Sequence, residues 1–175
     1  LTNALMALAM AKTYGSPTEA IANALMIFKG IKRRFSYQIK TDNLVYIDDY
    51  AHHPTEINAV HQAVRELYPN EKVLAIFQPH LLSRTRDFAD HFAKSLSAFD
   101  EVLLLDIYPA RELPMEGITS DWLLNKMTND DKKVVSKSDL IPSILKSNCK
   151  VIVTIGAGDI GELVKTIKVA LNENI

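Results

Sequence analysis

Short apolar runs recur along this chain, and the spacing of polar positions changes between them. Residues 73–77 read VLAIF, 102–105 read VLLL and 151–155 read VIVTI. Runs this short and continuously apolar predict strands over Val73–Phe77, Val102–Asp106 and Val151–Ile155, each covered on both faces as in a parallel sheet. The intervening segments predict helices from Pro54 to about Leu67, from about Thr85 to Ala98, from about Leu140 to Lys146 and from about Ile160 to Leu171. A short helix is expected after Thr119 and a weak strand near Val134 and Val135. Strands alternating with helices through right-handed crossovers give an α/β fold, a doubly wound, mostly parallel, Rossmann-like sheet.

The N-terminal part is punctuated differently. Residues 3–13 are rich in Ala, Met and Leu and predict a helix. The stretch "GSPTEA" predicts a second one, with Ser16 as N-cap, Pro17 in the first helical position and Glu19 completing a capping box. That helix is expected to run to about Lys29, with Gly30 ending it. "FSYQI" and "LVYID", separated by Thr41, Asp42 and Asn43, predict a hairpin or sharp corner. The chain opens at Leu1 without Met and already inside a helical pattern, which predicts a piece of a longer protein.

This topology gives the unusual residues one address. Open α/β sheets bind ligands outside the carboxyl ends of their strands. "DDYAHHP", "QPHLLSRTRD", "DIYPARE" and "GAGD" each follow a predicted strand, so four polar loops converge on one edge, and no opposite-edge loop carries comparable chemistry. Composition narrows the rest. With 175 residues, 47% hydrophobic and 23% charged, the chain is an ordinary globular length, and a net charge of −1 argues against bulk nucleic-acid or membrane attraction. The single Cys149 fits a reducing, cytoplasmic setting, and no apolar run approaches the roughly 20 residues that span a bilayer.

Each loop has a functional and a plainer reading. Asp48, Asp49, His52 and His53 have the side chains of metal ligands, but neighbouring side chains diverge, and His53 is well placed to cap the helix that opens at Pro54. Ligand contact, capping and metal binding stay open for this turn. In "QPHLLSRTRD", Ser83 or Thr85 is a candidate cap, and Arg84 a candidate fork for a carboxylate or phosphate. Pairing with Asp87 and Asp90 is the surface alternative, and it suits Arg86 better. The basic cluster "IKRRF" is weak alone. Gly156, Gly158 and Gly161 spell G-x-G-x-x-G, the pattern of an NAD-binding module, but only 14 residues and no strand follow. No phosphate loop of the G-x-x-x-x-G-K-[ST] type occurs. A metal-dependent hydrolase built on His52, His53 and Asp49 is a further rival.

Together "NALMALAMA", "KRRF", "DDYAHHPTEI", "FQPHLLSRTRD", "LDIYPARE" and "TIGAGDIG" resemble, in order and along almost the whole chain, the C-terminal domain of the Mur ligases. The resemblance is nearest to the member joining the carboxyl group of UDP-N-acetylmuramate to the amine of L-alanine. It implies an ADP-forming acid–amino-acid ligase of peptidoglycan synthesis that uses ATP and Mg²⁺ and passes through an acyl phosphate. Residues 1 to about 30 would end the central ATPase domain, and residues 31–175 would form the C-terminal domain. The N-terminal and central domains would be its partners, and the chain alone, without a phosphate loop, would be inactive. The resemblance implies that Asn3, Arg34 and Asp49 face the nucleotide, with Asp49 on the ribose hydroxyls. It implies that Tyr50, His52, His80 and Arg84 surround L-alanine and the acyl centre. The runner-up within the family attaches a ready-made tripeptide to the same sugar nucleotide. One stretch departs from the common "PHRYSRTR": Leu81 and Leu82 stand where arginine and tyrosine are frequent, so one carboxylate contact is lost or supplied elsewhere.

Overall fold

A computed structural model describes residues 2–174. They divide into two units, Leu1–Lys32 and Arg33–Ile175. The first unit holds helices α1 (Thr2–Thr13) and α2 (Thr18–Ile27). Between them lies an apolar groove of about 530 Å³ lined by Ala7, Leu8, Ile21, Leu25 and Phe28 among others, with Asn3 at its edge. The expected capping box is not formed. The α2 helix begins one residue later, Pro17 takes the N-cap position, and no side chain caps it. The helix ends at Ile27, short of Gly30, because Phe28 has already turned to extended backbone.

The second unit follows the alternation read from the sequence. In chain order it contains β1 (Ser36–Lys40), β2 (Val45–Asp49), α3 (Pro54–Leu67), β3 (Val73–Phe77), α4 (Leu82–Asp87), α5 (Ala89–Leu96), β4 (Glu101–Leu104), α6 (Ser120–Leu124), β5 (Asp131–Val134), α7 (Lys137–Lys146), β6 (Val151–Ile155) and α8 (Ile160–Asn172). The sheet order is β1-β2-β6-β3-β4-β5, antiparallel only at the β1–β2 hairpin. The helix expected over 85–98 is two helices, meeting at Phe88 with φ −115 and ψ 19. Among the described residues no helix is long and apolar enough to cross a membrane.

Alternation along each strand feeds two cores. Val45, Ile47, Val73, Ala75, Phe77, Val102, Leu104, Val151 and Val153 pack against α3, α5 and α6. Tyr46, Leu74, Ile76, Leu103, Leu105 and Ile152 pack against α7 and α8. The chain therefore leaves β6 toward one face and leaves its neighbours β2 and β3 toward the other. That is the switch in winding that opens a crevice at the carboxyl ends of an open sheet. Register brings those ends level, because Asp49 pairs with Ile155, Ile155 with Phe77 and Phe77 with Leu104.

Candidate functional site

The turn after β2 is built from charges that the protein satisfies itself. Asp48 is 1% exposed, and its carboxylate accepts from Arg33 Nε at 3.0 Å and from the Thr154 hydroxyl at 2.9 Å. Arg33 also donates to the Gly156 carbonyl at 2.8 Å, so one guanidinium ties the turns after β2 and β6 together. The Asp49 carboxylate accepts the Phe35 N–H at 2.7 Å and the Ala51 N–H at 2.8 Å, one on each oxygen. Burial raises its pKa despite those two bonds, and each oxygen keeps a second lone pair.

His53 is the N-cap of α3. Its Nδ1 accepts from the Thr55 N–H at 3.4 Å, and Glu56 reaches back to the His53 N–H at 3.2 Å, completing a capping box. The Glu56 carboxylate also takes the His52 N–H at 2.8 Å. Burial would raise Glu56, but the His52 and His53 amides and the nearby His52 and Arg34 charges outweigh it and hold the carboxyl low. His52, His53 and Asp49 thus point to different partners. Among the described residues no group of three or more His, Cys, Asp or Glu side chains is placed to hold a metal ion.

Rings lead from this turn to the next loops. Tyr50 and His52 lie 5.4 Å apart by ring centroid, His52 and His80 6.2 Å, and His80 and Tyr108 5.6 Å in a stack. Arg33 and Arg34 cover the Tyr50 ring at 5.2 and 5.9 Å. The structure therefore brings Arg34, Asp49, Tyr50, His52, His80 and Arg84 to one edge. Asn3 belongs to the first unit. Arg34 is half-exposed, and its ion pair with Glu56 is loose at 4.0 Å.

The loops after β3 and β4 are zipped together. Tyr108 N–H donates to the Pro79 carbonyl at 2.8 Å, and Leu81 N–H returns to the Tyr108 carbonyl at 2.9 Å. Leu81 holds φ 74, outside the usual range for a residue with a side chain. Neither Ser83 nor Thr85 caps α4. Thr85 donates its hydroxyl back to the Leu81 carbonyl, and Ser83 is engaged by Glu112. Arg86 pairs with exposed Asp87 at 2.8 Å, as its surface reading expects, whereas Asp90 pairs with Lys126 instead. Two buried nitrogens here have no partner, His80 Nδ1 and Arg84 Nη1. Burial, reinforced by the Arg84 and His52 charges, pushes His80 below its ordinary value of 6.5 and so favours the neutral ring.

The glycine loop after β6 is filled by the protein's own groups. Gln78 Oε1 accepts the Ile160 N–H at 2.9 Å, at the α8 N-terminus where a pyrophosphate would sit in a dinucleotide fold. A side chain at Gly158 would strike Gln78 Oε1 and come within 2.8 Å of Tyr108 Cβ. One at Gly161 would strike the Arg33 guanidinium. These glycines admit Gln78, Tyr108 and Arg33, and the packing leaves the NAD-module reading without a place for its phosphates. Sequence reasoning assigned no role to Gln78, Tyr108 or Glu112, treated Arg33 only as part of a weak basic cluster, and weighed Asp48 as a metal ligand rather than as the partner of Arg33 and Thr154. Their position inside the converging loops was the available signal.

A family model described as Mur ligase, glutamate ligase domain, matches residues 33–158. Over its full length the chain is 75% identical to the UDP-N-acetylmuramate–L-alanine ligase of Flavobacterium johnsoniae, of which it covers 39%. Its structure is similar to the UDP-N-acetylmuramate-alanine ligase of Thermotoga maritima, with 28% identity, a TM-score of 0.76, and coverage of 99% of this chain and 37% of that one. A murein peptide ligase from Psychrobacter arcticus shares the fold at 24% identity and a TM-score of 0.70, again over 99% of this chain and 37% of the other. The chain thus spans about 39% of the length of the relative from Flavobacterium johnsoniae.

Proposed function

Because this chain belongs to the Mur ligase family through its glutamate ligase domain, we propose that it is the amino-acid-binding part of an ADP-forming ligase joining L-alanine to UDP-N-acetylmuramate in the cytoplasm. Residues 1–30 are read as the end of the preceding ATPase domain, which would hold the phosphate loop. The observation carrying this reading is the pair of partnerless buried nitrogens, His80 Nδ1 and Arg84 Nη1. Leaving buried polar groups unpaired costs about 1–3 kcal/mol each, so both call for a partner, and a ligand at this edge is the one this reading supplies. A free amino acid supplies what they lack. Its carboxylate accepts from the Arg84 guanidinium, and its amine donates to His80 Nδ1 when the imidazole proton sits on Nε2.

The chemistry follows from those positions. The amine must be neutral to attack an acyl phosphate, and a neutral His80 can take its proton. His52 and Tyr50 complete the wall on the side of the acyl centre, and cationic donors there favour charge developing on the tetrahedral intermediate. Holding both reactants in line supplies much of the rate gain without a covalent nucleophile. Toward ATP, Asp49 offers its unused lone pairs to the ribose hydroxyls and half-exposed Arg34 reaches for the phosphates, while Asn3, in the first unit, is assigned to the nucleotide by the family resemblance alone. In this reading the Mg²⁺ is held mostly by the preceding domain.

The test uses the complete enzyme. Phosphate release from ATP with Mg²⁺ and UDP-N-acetylmuramate should depend on L-alanine. Release that ignores L-alanine but responds to a tripeptide would move the assignment to the recycling ligase.

A further inference from the structure

Helix α4 begins without a cap of its own. Its N-cap position is Leu81, which has no side-chain acceptor, so the first amides of the helix need an oxygen from elsewhere. Glu112 provides it from 29 residues away in sequence. One carboxylate oxygen accepts the Ser83 N–H at 3.0 Å, and the other takes a short bond from the Ser83 hydroxyl. The Leu82 N–H also acts on this carboxylate. The bonds to Ser83, with the Arg84 charge behind them, hold Glu112 below the usual carboxylate range.

The loop carrying Glu112 is itself pinned. Its turn closes through Glu112 N–H to the Pro109 carbonyl at 3.0 Å, with Ala110 at φ 53, and the two bonds between Tyr108 and the Pro79–Leu81 segment anchor its other end. Glu112 therefore grips Ser83, whose neighbour in sequence is Arg84. It does so without using the guanidinium, because its oxygens go to Ser83 while Arg84 Nη1 keeps no partner. A carboxylate in direct contact would have competed with the carboxylate of an amino acid. Glu112 balances the charge from one residue away and leaves the donor available.

We propose that Glu112 is a positioning residue for the amino-acid site, fixing the first turn of α4 so that Arg84 is presented to the acceptor carboxylate. The proposal rests on the reading of this edge as the L-alanine site and adds to it a residue that touches none of the three substrates. Loss of Glu112 should loosen the acceptor clamp and leave the nucleotide contacts alone, since those are assigned to Asp49 and Arg34, at the Tyr50 end of the ring row.

The test is steady-state kinetics on the complete enzyme with Glu112→Ala and Glu112→Gln. Glu112→Ala should raise KM for L-alanine about tenfold, the effect of one lost orienting contact, with KM for ATP unchanged. Glu112→Gln keeps one oxygen acceptor for the Ser83 N–H and should recover part of that loss. If the alanine variant does not fold, the glutamine variant must still show the selective rise. The proposal is overturned if KM for L-alanine stays within about twofold of wild type, or if every parameter falls together with the melting temperature. A wild type indifferent to L-alanine would instead overturn the parent reading and this one with it.

Discussion

The turn after β2 and the paired loops after β3 and β4 carry the same residue types at the same edge, yet they treat their charges differently. In the first, Asp48 is held by Arg33 and Thr154, His53 and Glu56 by the start of α3, and Asp49 by one backbone amide on each oxygen, which leaves it a second lone pair on each. In the second, the Glu112 carboxylate and the Tyr108 backbone brace the loops, while His80 and Arg84 each keep a buried nitrogen without a partner. Crowding of titratable residues therefore marks two different things. Where the groups satisfy one another they form a frame, and where they do not they form a place for something else. The row of rings from Tyr50 through His52 and His80 to Tyr108 joins the frame to the opening.

The comparison can be broken most forcefully within the frame. Asp48→Ala strands Arg33, which is 20% exposed, beside the buried sheet end. Removing one partner of a buried pair costs roughly 3–5 kcal/mol, and the partial exposure of Arg33 places this case near 3 kcal/mol. Chemical denaturation should show that loss. A change under about 1 kcal/mol would mean that the turn is not a frame.

Gly158→Ala is the next largest. The new methyl meets Gln78 and the Cβ of Tyr108, and neither can swing clear easily. Overpacking of this kind costs about 1–3 kcal/mol. The same protein should show no binding to NADH by equilibrium dialysis before or after the change. His53→Ala removes a long cap bond and an edge contact with the Phe88 ring at 4.9 Å, and should cost about 1 kcal/mol in a thermal melt, with acceptor affinity unmoved.

The smallest effect is in pH. His80 and His61 are both depressed by burial below the ordinary 6.5. The unfolded chain then binds protons first as pH falls through 6.5, so stability should decline on acidification in that window. The carboxylates held low, Glu56, Asp100 and Asp159, enter only at lower pH. Melting temperature measured between pH 7.5 and 5 should fall gently, and His80→Asn should flatten part of that slope. A melting temperature that rises on acidification would reverse the sign.

What the sequence reveals here divides by range. The strands are legible because apolar runs such as VLAIF and VIVTI have no alternative to burial on both faces. The edge is legible because parallel topology sends "DDYAHHP", "QPHLLSRTRD" and "DIYPARE" to one end. Partners far apart along the chain are not. Nothing local to Ser83 says that Glu112 will cap it, and local spacing favoured Ser83 and Thr85 as caps themselves. Nor does spacing say which of two adjacent arginines turns inward. A backbone φ of 60 at Arg33 lets that residue reach Asp48 and Gly156, leaving Arg34 outside. The break of the expected 85–98 helix at Phe88 is likewise tertiary, since α4 answers to Glu112 and α5 to the core through Ala89, Phe92 and Leu96.

The most direct measurement is the kinetic comparison of wild type and Arg84→Ala in the complete enzyme, following phosphate release as L-alanine, ATP and UDP-N-acetylmuramate are varied in turn. If the unpaired guanidinium is the carboxylate clamp, KM for L-alanine should rise about 10²-fold, the value of a lost charge-assisted contact, with KM for the other two substrates and the melting temperature held. A variant with unchanged KM for L-alanine, or with its loss falling on ATP, would contradict the account and turn the open loops into one more part of the frame.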